Sequence, residues 1–143
     1  MDFSAEQSPG DLAKQLSRLY TRNLLARLVP LGLNVGMFMT LRELWAQDGA
    51  QQRDISRRLQ LEQAAMTRML QRMERENLLR RQMSPLDGRK RAVYLTDKGR
   101  ALREPAMRAA REQNDAALSS LSREQRLAFC DAMLTVIRVL EED

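Results

Sequence analysis

Hydrophobic residues recur at three- and four-residue steps along most of the chain, which is the spacing of amphipathic α-helices. The first such segment runs from Leu12 to Val29, and Asp11 in front of it is a predicted N-cap. Pro30 and Gly32 end this segment, and Asn34 is expected to cap a second helix. The predicted buried face of that second helix consists of Val35, Phe38, Leu41, Leu44 and Trp45.

Residues 52–76 predict two helices joined by a tight corner. A short helix fits Gln52 to Leu59, a longer one fits Gln63 to Glu76, and only residues 60–62 separate them. Apolar residues of the first helix can pack on Met66 and Leu70 of the second, as in a helix-turn-helix unit. Many all-helical proteins contain such a corner, so the corner alone does not identify a DNA-binding protein.

The segment after these helices predicts a β-hairpin. Asn77 tolerates the left-handed conformation in which helices often end. Residues 78–83 then have the pattern of a strand, residues 84–88 contain turn residues, and residues 91–95 have the pattern of a returning strand. A hairpin directly after a helix-turn-helix unit indicates a wing.

The remainder of the chain predicts helices again. Thr96 is a predicted N-cap, and the helical pattern continues to about Leu118 with a kink expected at Pro105. Residues 122–125 have the spacing of a capping box before a last helix. The predicted inner face of that helix comprises Leu127, Cys130, Leu134, Ile137 and Leu140. The predicted fold is therefore mainly α, a winged helix-turn-helix with a two-stranded β-wing between N- and C-terminal helices.

Positive charge is concentrated in the middle of the chain. The net charge is +5, but residues 51–100 alone hold 13 Lys/Arg against 6 Asp/Glu, a net of +7. A basic segment that coincides with a winged helix is typical of a nucleic-acid-binding face. The alternative is a solvated helix surface with salt bridges.

Composition excludes several classes of protein. The 143 residues amount to about one domain, and no apolar run reaches the roughly 18 to 20 residues of a membrane span. Residues 1–6 lack the features of a signal peptide, so we expect a cytoplasmic protein. The chain has no histidine and a single cysteine, Cys130, which excludes an internal disulfide and His-based triads and leaves few metal ligands. We therefore expect no cofactor and no enzymatic activity.

Three spaced motifs resemble those of the MarR family of bacterial winged helix-turn-helix regulators, and the likeness covers roughly residues 11–140. The motifs are residues 77–81 (NLLRR), 87–90 (DGRK) and 95–99 (LTDKG). Thr67-Arg68 resembles part of the family's recognition helix, and Gly32-Leu33 resembles the start of its second helix. Two positions depart from the family pattern: Asn77 stands where glycine is usual, and Ala64-Ala65 where small hydroxyl residues are common.

The resemblance implies a homodimer whose first, fifth and sixth helices intertwine and place two winged domains on successive turns of double-stranded DNA. Residues 1–33 and 101–143 would then be dimerisation helices, and residues 34–100 the DNA-binding domain. The residue pattern agrees, because several apolar side chains have little of the same chain to cover them. These side chains are Leu12, Leu16, Leu127, Leu134 and Ile137. In the alternative, the terminal helices pack on their own winged domain.

The helix from Gln63 has the residues of a recognition helix, which fits the major groove of DNA. Its face opposite the apolar stripe carries Gln63, Ala64, Thr67, Arg68, Gln71 and Arg72. Gln63 and Arg68 suit bidentate contact with adenine and guanine, and Ala64 or the Thr67 methyl group suits a thymine methyl group. Arg72 and Arg75 are expected to meet phosphates. The alternative for each arginine is a solvated surface position.

The wing tip carries the second set of predicted DNA contacts. Arg89 is placed to enter a minor groove, where narrow A·T tracts concentrate negative potential. Asp87 can accept hydrogen bonds from that guanidinium and hold it extended, as the family resemblance also implies. Lys90 and Arg91 would add phosphate attraction. Alternatively, Asp87 is an ordinary turn residue before glycine.

The resemblance further implies control by a small aromatic or phenolic anion bound between the dimer helices and the winged domain. The predicted site combines the cations Arg18 and Arg22 with an adaptable apolar surface. That surface consists of Met37, Phe38, Met39 and Trp45. Alternatively, these apolar residues are core. Cys130 lies on an apolar helical face and is expected to be inert.

The sequence thus predicts a homodimeric, sequence-specific DNA-binding transcription regulator, most simply a repressor that a small anion releases from a pseudo-palindromic operator. A nonspecific architectural DNA-binding protein is the alternative, since positive charge and a wing would suffice for it. The two differ in the ratio of specific to random-DNA affinity, which is typically about 10³ or more for a specific binder.

Overall fold

The computed structural model describes residues 8–143, which form seven α-helices, one 3₁₀ turn at Val29–Leu31 and two strands. In chain order the elements are α1 (Pro9–Leu28), α2 (Val35–Ala46), α3 (Gln52–Arg58), α4 (Gln63–Arg75), β1 (Leu79–Met83), β2 (Arg91–Leu95), α5 (Asp97–Ala101), α6 (Arg103–Ala117) and α7 (Arg123–Glu141). Within residues 8–143 no single helix has the length and apolar composition of a membrane span. One pair of segments reaches that length and composition together, Pro9–Leu31 with Val35–Ala46, but the pair is bent by 74°. The mainly α winged-helix fold predicted from the sequence is confirmed.

The beginning of α1 differs from the prediction. Ser8, not Asp11, occupies the N-cap position, and Asp11 lies inside the first turn. The prediction of Asp11 as the cap is wrong because Pro9, whose fixed φ suits the first helical position, starts the helix earlier. The carboxylate of Asp11 still stabilises the helix, since it lies near the positive end of the helix dipole. Asn34 caps α2 as predicted: its side chain accepts a hydrogen bond from the backbone N–H of Met37 at 2.8 Å.

The helix-turn-helix corner follows the predicted packing. Ile55 of α3 and Met66 and Leu70 of α4 are fully buried against one another and the rest of the core. Ser56 closes the corner, because its hydroxyl donates to the carbonyl of Leu61 at 2.6 Å. This packing fixes which face of α4 points away from the core.

The hairpin contains the predicted strands and one pairing that the sequence analysis missed. Strands β1 and β2 are antiparallel, with registers from Leu79 opposite Leu95 to Met83 opposite Arg91. The free edge of β2 pairs with the loop before α3, since the N–H of Val93 donates to the carbonyl of Ala50 at 2.9 Å. The base of the wing is therefore bonded to the helix-turn-helix unit on its other side.

The helix predicted from Thr96 to about Leu118 is two helices rather than one kinked helix. It breaks at Leu102, between α5 and α6. Pro105 explains the break: it has no N–H to donate to the carbonyl of Ala101, and its ring clashes with that carbonyl. Because Pro105 lies in the first turn of α6, the missing donor costs that helix nothing.

The last helix, α7, has the predicted start but not the predicted burial. Ser122 and Gln125 form the capping box. The side chains predicted to lie inside are exposed, including Leu127 at 59%, Leu134 at 47% and Ile137 at 47%, and so is Cys130. Against the rest of residues 8–143, α7 buries no residue. The prediction of an inner face is wrong for a single chain, and the alternative in which α7 packs on its own winged domain does not occur.

A close junction joins the wing to α5. The hydroxyl of Thr96 donates to the carbonyl of Asn77 at 2.6 Å and accepts from the N–H of Gly99 at 3.1 Å. The indole N–H of Trp45 donates to the carbonyl of Gly99 at 3.0 Å. A Cβ atom on Gly99 would lie 2.1 Å from the carbonyl oxygen of Leu78. Only glycine therefore permits this approach of α5 to β1.

We expect Gly99→Ala to lower the free energy of unfolding by about 2 to 4 kcal/mol, because the added carbon forces a backbone shift at a packed junction. Chemical denaturation at fixed protein concentration measures the change. Gly88→Ala is the matched control, since a Cβ atom there meets no atom within 4 Å. Equal stability of the two variants would contradict the assignment of Gly99 as an obligatory glycine.

Candidate DNA interface

A groove between α4 and the hairpin brings together residues that are distant in the sequence. It has a volume of about 460 Å³. Its lining consists of Gln51, Gln52, Arg53, Gln63, Asp87, Arg89, Lys90 and Arg91. The structure therefore places Gln63 of the predicted recognition helix beside all four predicted wing residues. We call this feature the wing groove.

The outward face of α4 presents most of the residues that the sequence analysis selected. Burial of Met66, Leu70 and Met73 on one side turns the opposite face to the surface. The exposed selected residues are Gln63, Ala64, Arg68, Gln71 and Arg72. Arg72 lies 3.8 Å from Glu76, an exposed pair one helical turn apart. Such pairs contribute little stability, so Arg72 can leave this pair for another anion.

Thr67 is the exception on this face, because it is half-buried. Its hydroxyl oxygen accepts a hydrogen bond from the side-chain amide nitrogen of Gln52 at 2.8 Å. Gln52 begins α3 and is buried, with 9% of its surface exposed. Gln52 is not among the residues predicted from the sequence, since a glutamine at a helix start has no distinctive pattern. The contact links the first residue of α3 to the middle of α4.

A second contact fixes α4 to the hairpin. The carboxylate of Glu74 accepts from the backbone N–H of Arg81 at 3.0 Å and from its guanidinium at 3.2 Å. The backbone hydrogen bond from Arg81 is the main cause that holds the pKa of Glu74 below its ordinary value, while burial opposes the shift. A lowered pKa keeps Glu74 charged near neutral pH, so this ion pair stabilises the fold there and breaks only in acid. Helix α4 and strand β1 are thus joined at neutral pH.

At the wing tip, Asp87 and Arg89 form the contact that the sequence analysis expected. One carboxylate oxygen of Asp87 accepts from the backbone N–H of Arg89 at 3.0 Å and lies 3.4 Å from its side-chain Nε. The Arg89 side chain is 93% exposed. Lys90 and Arg91 are exposed beside it. The tip therefore holds a cationic side chain clear of the protein surface.

The predicted effector pocket is not formed within the described chain. Met37 and Phe38 are fully buried, at 0% and 1% exposure, and Trp45 is bonded to the carbonyl of Gly99. Arg18 and Arg22 are exposed on α1, and they line neither the wing groove nor the cavities beside α6. Met37 and Phe38 belong to the core of the winged domain, so their assignment to a pocket wall is wrong for the single chain. Effector binding by the other selected residues stays a prediction.

Open cavities lie instead between α1 and α6, and both are lined by Arg27. One has a volume of about 430 Å³ and is lined by Asn23, Ala26, Arg27, Gln113, Ala116 and Ala117. The other, of about 300 Å³, is lined by Arg27, Pro30, Leu31, Pro105, Arg108, Ala109 and Glu112. Arg27 donates to the side-chain oxygen of the buried Gln113 at 3.2 Å. A cation is thus held at a cleft with small apolar walls.

Comparisons with known proteins agree with this architecture. The model of the MarR family matches residues 33–90, from the start of α2 to the wing. The HTH-type transcriptional regulator TtmR of Methylorubrum extorquens is 34% identical over 71 residues, which cover 50% of this chain but only 36% of that protein. The HTH-type transcriptional regulator MgrA of Staphylococcus aureus is 27% identical over 129 residues, which cover 90% of this chain and 84% of MgrA.

Among solved structures, the chain is similar to the transcriptional repressor CouR bound to a 23-mer DNA duplex. The TM-score is 0.86 at 26% identity, and the match covers 96% of this chain and 99% of CouR. The structural likeness therefore extends beyond the winged domain to the helices on both sides of it.

Proposed function

Because the chain belongs to the MarR family of transcriptional regulators, which are DNA-binding proteins and not enzymes, we propose that it is a homodimeric repressor of a pseudo-palindromic operator. The wing groove carries this proposal, because it places the cations of α3 and the hairpin beside the outward face of α4. In the proposed complex, α4 lies in a major groove and the wing tip enters the adjacent minor groove. A small aromatic or phenolic anion releases the operator.

The two surfaces have different proposed tasks. Gln63 and Arg68 on α4 read base edges, together with the small side chain of Ala64. Arg89, held clear of the protein by Asp87, reads the width of a minor groove through its negative potential. Four other selected side chains contact the backbone phosphates. These side chains are Gln71, Arg72, Lys90 and Arg91.

Enrichment of bound sequences from random DNA tests the proposal. We expect a two-fold symmetric motif with half-site centres about 10 to 10.5 base pairs apart. Its affinity should exceed that of random DNA by about 10³-fold or more. Tight binding without an enriched motif would favour the architectural DNA-binding protein instead.

Arg68→Ala and Arg89→Ala should weaken operator binding in different ways. Removal of a bidentate base contact at Arg68 is expected to cost about 1 to 3 kcal/mol on the operator and to relax preference at one symmetric pair of positions. Removal of the Arg89 guanidinium should weaken binding most where A·T-rich flanks narrow the minor groove. The slope of log affinity against log salt concentration should also become shallower, by up to about 0.9 for each phosphate that Arg89 neutralises in each subunit. Titrations at several salt concentrations measure both effects.

Asp87→Ala is the companion variant for the wing, since it removes the carboxylate that orients Arg89 and keeps the guanidinium itself. Its effect should resemble that of Arg89→Ala but be smaller. If Arg68→Ala and Arg89→Ala instead weakened binding uniformly on operator and random DNA, both side chains would be phosphate contacts.

The uncovered apolar faces of α1 and α7 support the proposed homodimer. Leu12 and Leu16 are 47% and 38% exposed, and the apolar side chains of α7 predicted to lie inside are at least as exposed. Large exposed apolar surfaces usually mark interfaces. A second copy supplies the same two faces, as a closed two-fold dimer requires.

Deletion of residues 123–143 should therefore abolish the dimer at micromolar concentration and weaken operator binding, because each half-site would bind alone. Sedimentation and operator titration measure the two effects. A variant that ends at Glu141 serves as control, since it keeps all of α7. Normal dimerisation of the deleted protein would contradict the assignment of α7 to the interface.

For the effector, the cleft between α1 and α6 replaces the pocket predicted from the sequence. An effector changes DNA affinity only by binding the DNA-competent and incompetent arrangements unequally. Aromatic carboxylates or phenols at millimolar concentration should therefore release the operator.

Arg27→Ala should raise the effector concentration needed to release the operator by about 10-fold, the change expected for one charged hydrogen bond. Arg22→Ala is the control because it lies on the same helix outside both cavities. Equal effects of the two variants would exclude this cleft.

A further inference from the structure

The hydroxyl of Thr67 bonds differently from those of two other threonines inside helices, Thr40 and Thr135. The hydroxyls of Thr40 in α2 and Thr135 in α7 each donate to the carbonyl four residues earlier, both at 2.9 Å. Such back-bonding is the ordinary arrangement for a threonine within a helix. Thr67 makes no such bond within residues 8–143, and its hydroxyl oxygen accepts from the amide nitrogen of Gln52.

This contact determines whether the Thr67 hydroxyl remains available as a donor or as an acceptor. A threonine hydroxyl offers one hydrogen to donate and two lone pairs to accept. Gln52 occupies a lone pair of Thr67, and no group among the described residues takes the hydrogen. Since Thr67 is half-buried on α4 rather than enclosed, that hydrogen is available to a group outside the protein.

The hydrogen bond between Gln52 and Thr67 is not an arrangement that the stability of the fold alone would favour. The side-chain oxygen of Gln52 is buried and has no hydrogen-bond partner among the described residues. A buried acceptor without a partner destabilises the fold, and buried polar groups are normally paired. An apolar side chain of the same length would avoid this penalty, but it would leave the Thr67 hydroxyl without a fixed direction.

We propose that Gln52 is a positioning residue that holds the Thr67 hydroxyl as a hydrogen-bond donor toward a base in the major groove. The acceptors there are guanine O6 or N7, adenine N7 and thymine O4, whereas cytosine presents only a donor. Gln52 thus gives sequence preference without contacting DNA itself. This inference rests on the proposed function, because it requires α4 to lie in the major groove.

The test compares the sequence preferences of full-length variants. The preference is measured as a ratio of two affinities, that for the enriched operator and that for an operator altered at one symmetric pair of positions. We expect Gln52→Met to reduce this ratio by about 3- to 10-fold at one pair of positions, the change expected for one hydrogen bond. Thr67→Val should reduce it at the same pair, and Gln52→Met should have no further effect in the Thr67→Val background. Thr67→Ser keeps the hydroxyl and should keep the preference.

A stability measurement separates positioning from a structural role. Gln52→Met removes a buried unpaired acceptor, so its unfolding midpoint should equal or exceed that of the unaltered protein. Thr40→Val is the matched control for Thr67→Val. Because the Thr40 hydroxyl bonds within its own helix, this substitution should leave the sequence preference unchanged.

Three results would overturn the inference while leaving the proposed function intact. The first is a uniform decrease in affinity on every sequence, which would place Thr67 on a phosphate. The second is an unchanged preference in Gln52→Met, and the third is a marked decrease in the stability of that variant. If selection from random DNA with the unaltered protein yielded no enriched motif, the proposed function would be contradicted, and this inference would fail with it.

Discussion

The close approach of α5 to β1 is the constraint on which the rest of the architecture depends. Gly99 meets the carbonyl of Leu78 at a distance that no side chain allows, and the same carbonyl accepts the N–H of Thr96 at 3.1 Å. Trp45 adds a bond from α2 to the same glycine. The end of the hairpin is thus bonded both to the core of the winged domain and to the start of the helices that leave it. A shift of α5 and α6 must therefore move the wing as well.

The surface proposed to read DNA is held as one body by contacts on several sides of α4. Its apolar stripe is in the core, Gln52 fixes its middle to α3, and Glu74 fixes its last turns to β1 through Arg81. Hydrogen bonds between β2 and the loop before α3 close the arrangement from the other side of the wing. Base contacts require side chains held to within fractions of an ångström. Apart from the bond to Thr67, these contacts supply that rigidity without using the residues proposed to touch DNA.

Most local signals were predictable from the sequence, whereas several contacts between distant residues were not. The N-cap of α1 is a local exception, because Pro9 starts that helix before Asp11. Asn34, Asn77 and Ser122 end or begin helices through their own side chains or backbone, so each could be identified from neighbouring residues alone. Among the proposed site residues, those on one helical face or one turn were identified in the same way, although their DNA contacts stay predictions.

The contacts that the sequence analysis missed join residues far apart in the chain. The bond from Gln52 to Thr67 is one of them, because helical spacing marks the outward face that carries Thr67 but does not indicate Gln52 as its partner. Two residues of the predicted effector pocket were misplaced for a different reason. Met37 and Phe38 have the composition of a pocket wall, but composition does not distinguish a wall from a core. Two exposed surfaces of the described residues differ in kind: the faces of α1 and α7 are apolar, and the surroundings of the wing groove are cationic. Apolar faces associate with one another, whereas cationic faces repel. Self-association is therefore expected at the terminal helices, and a polyanion at the wing groove.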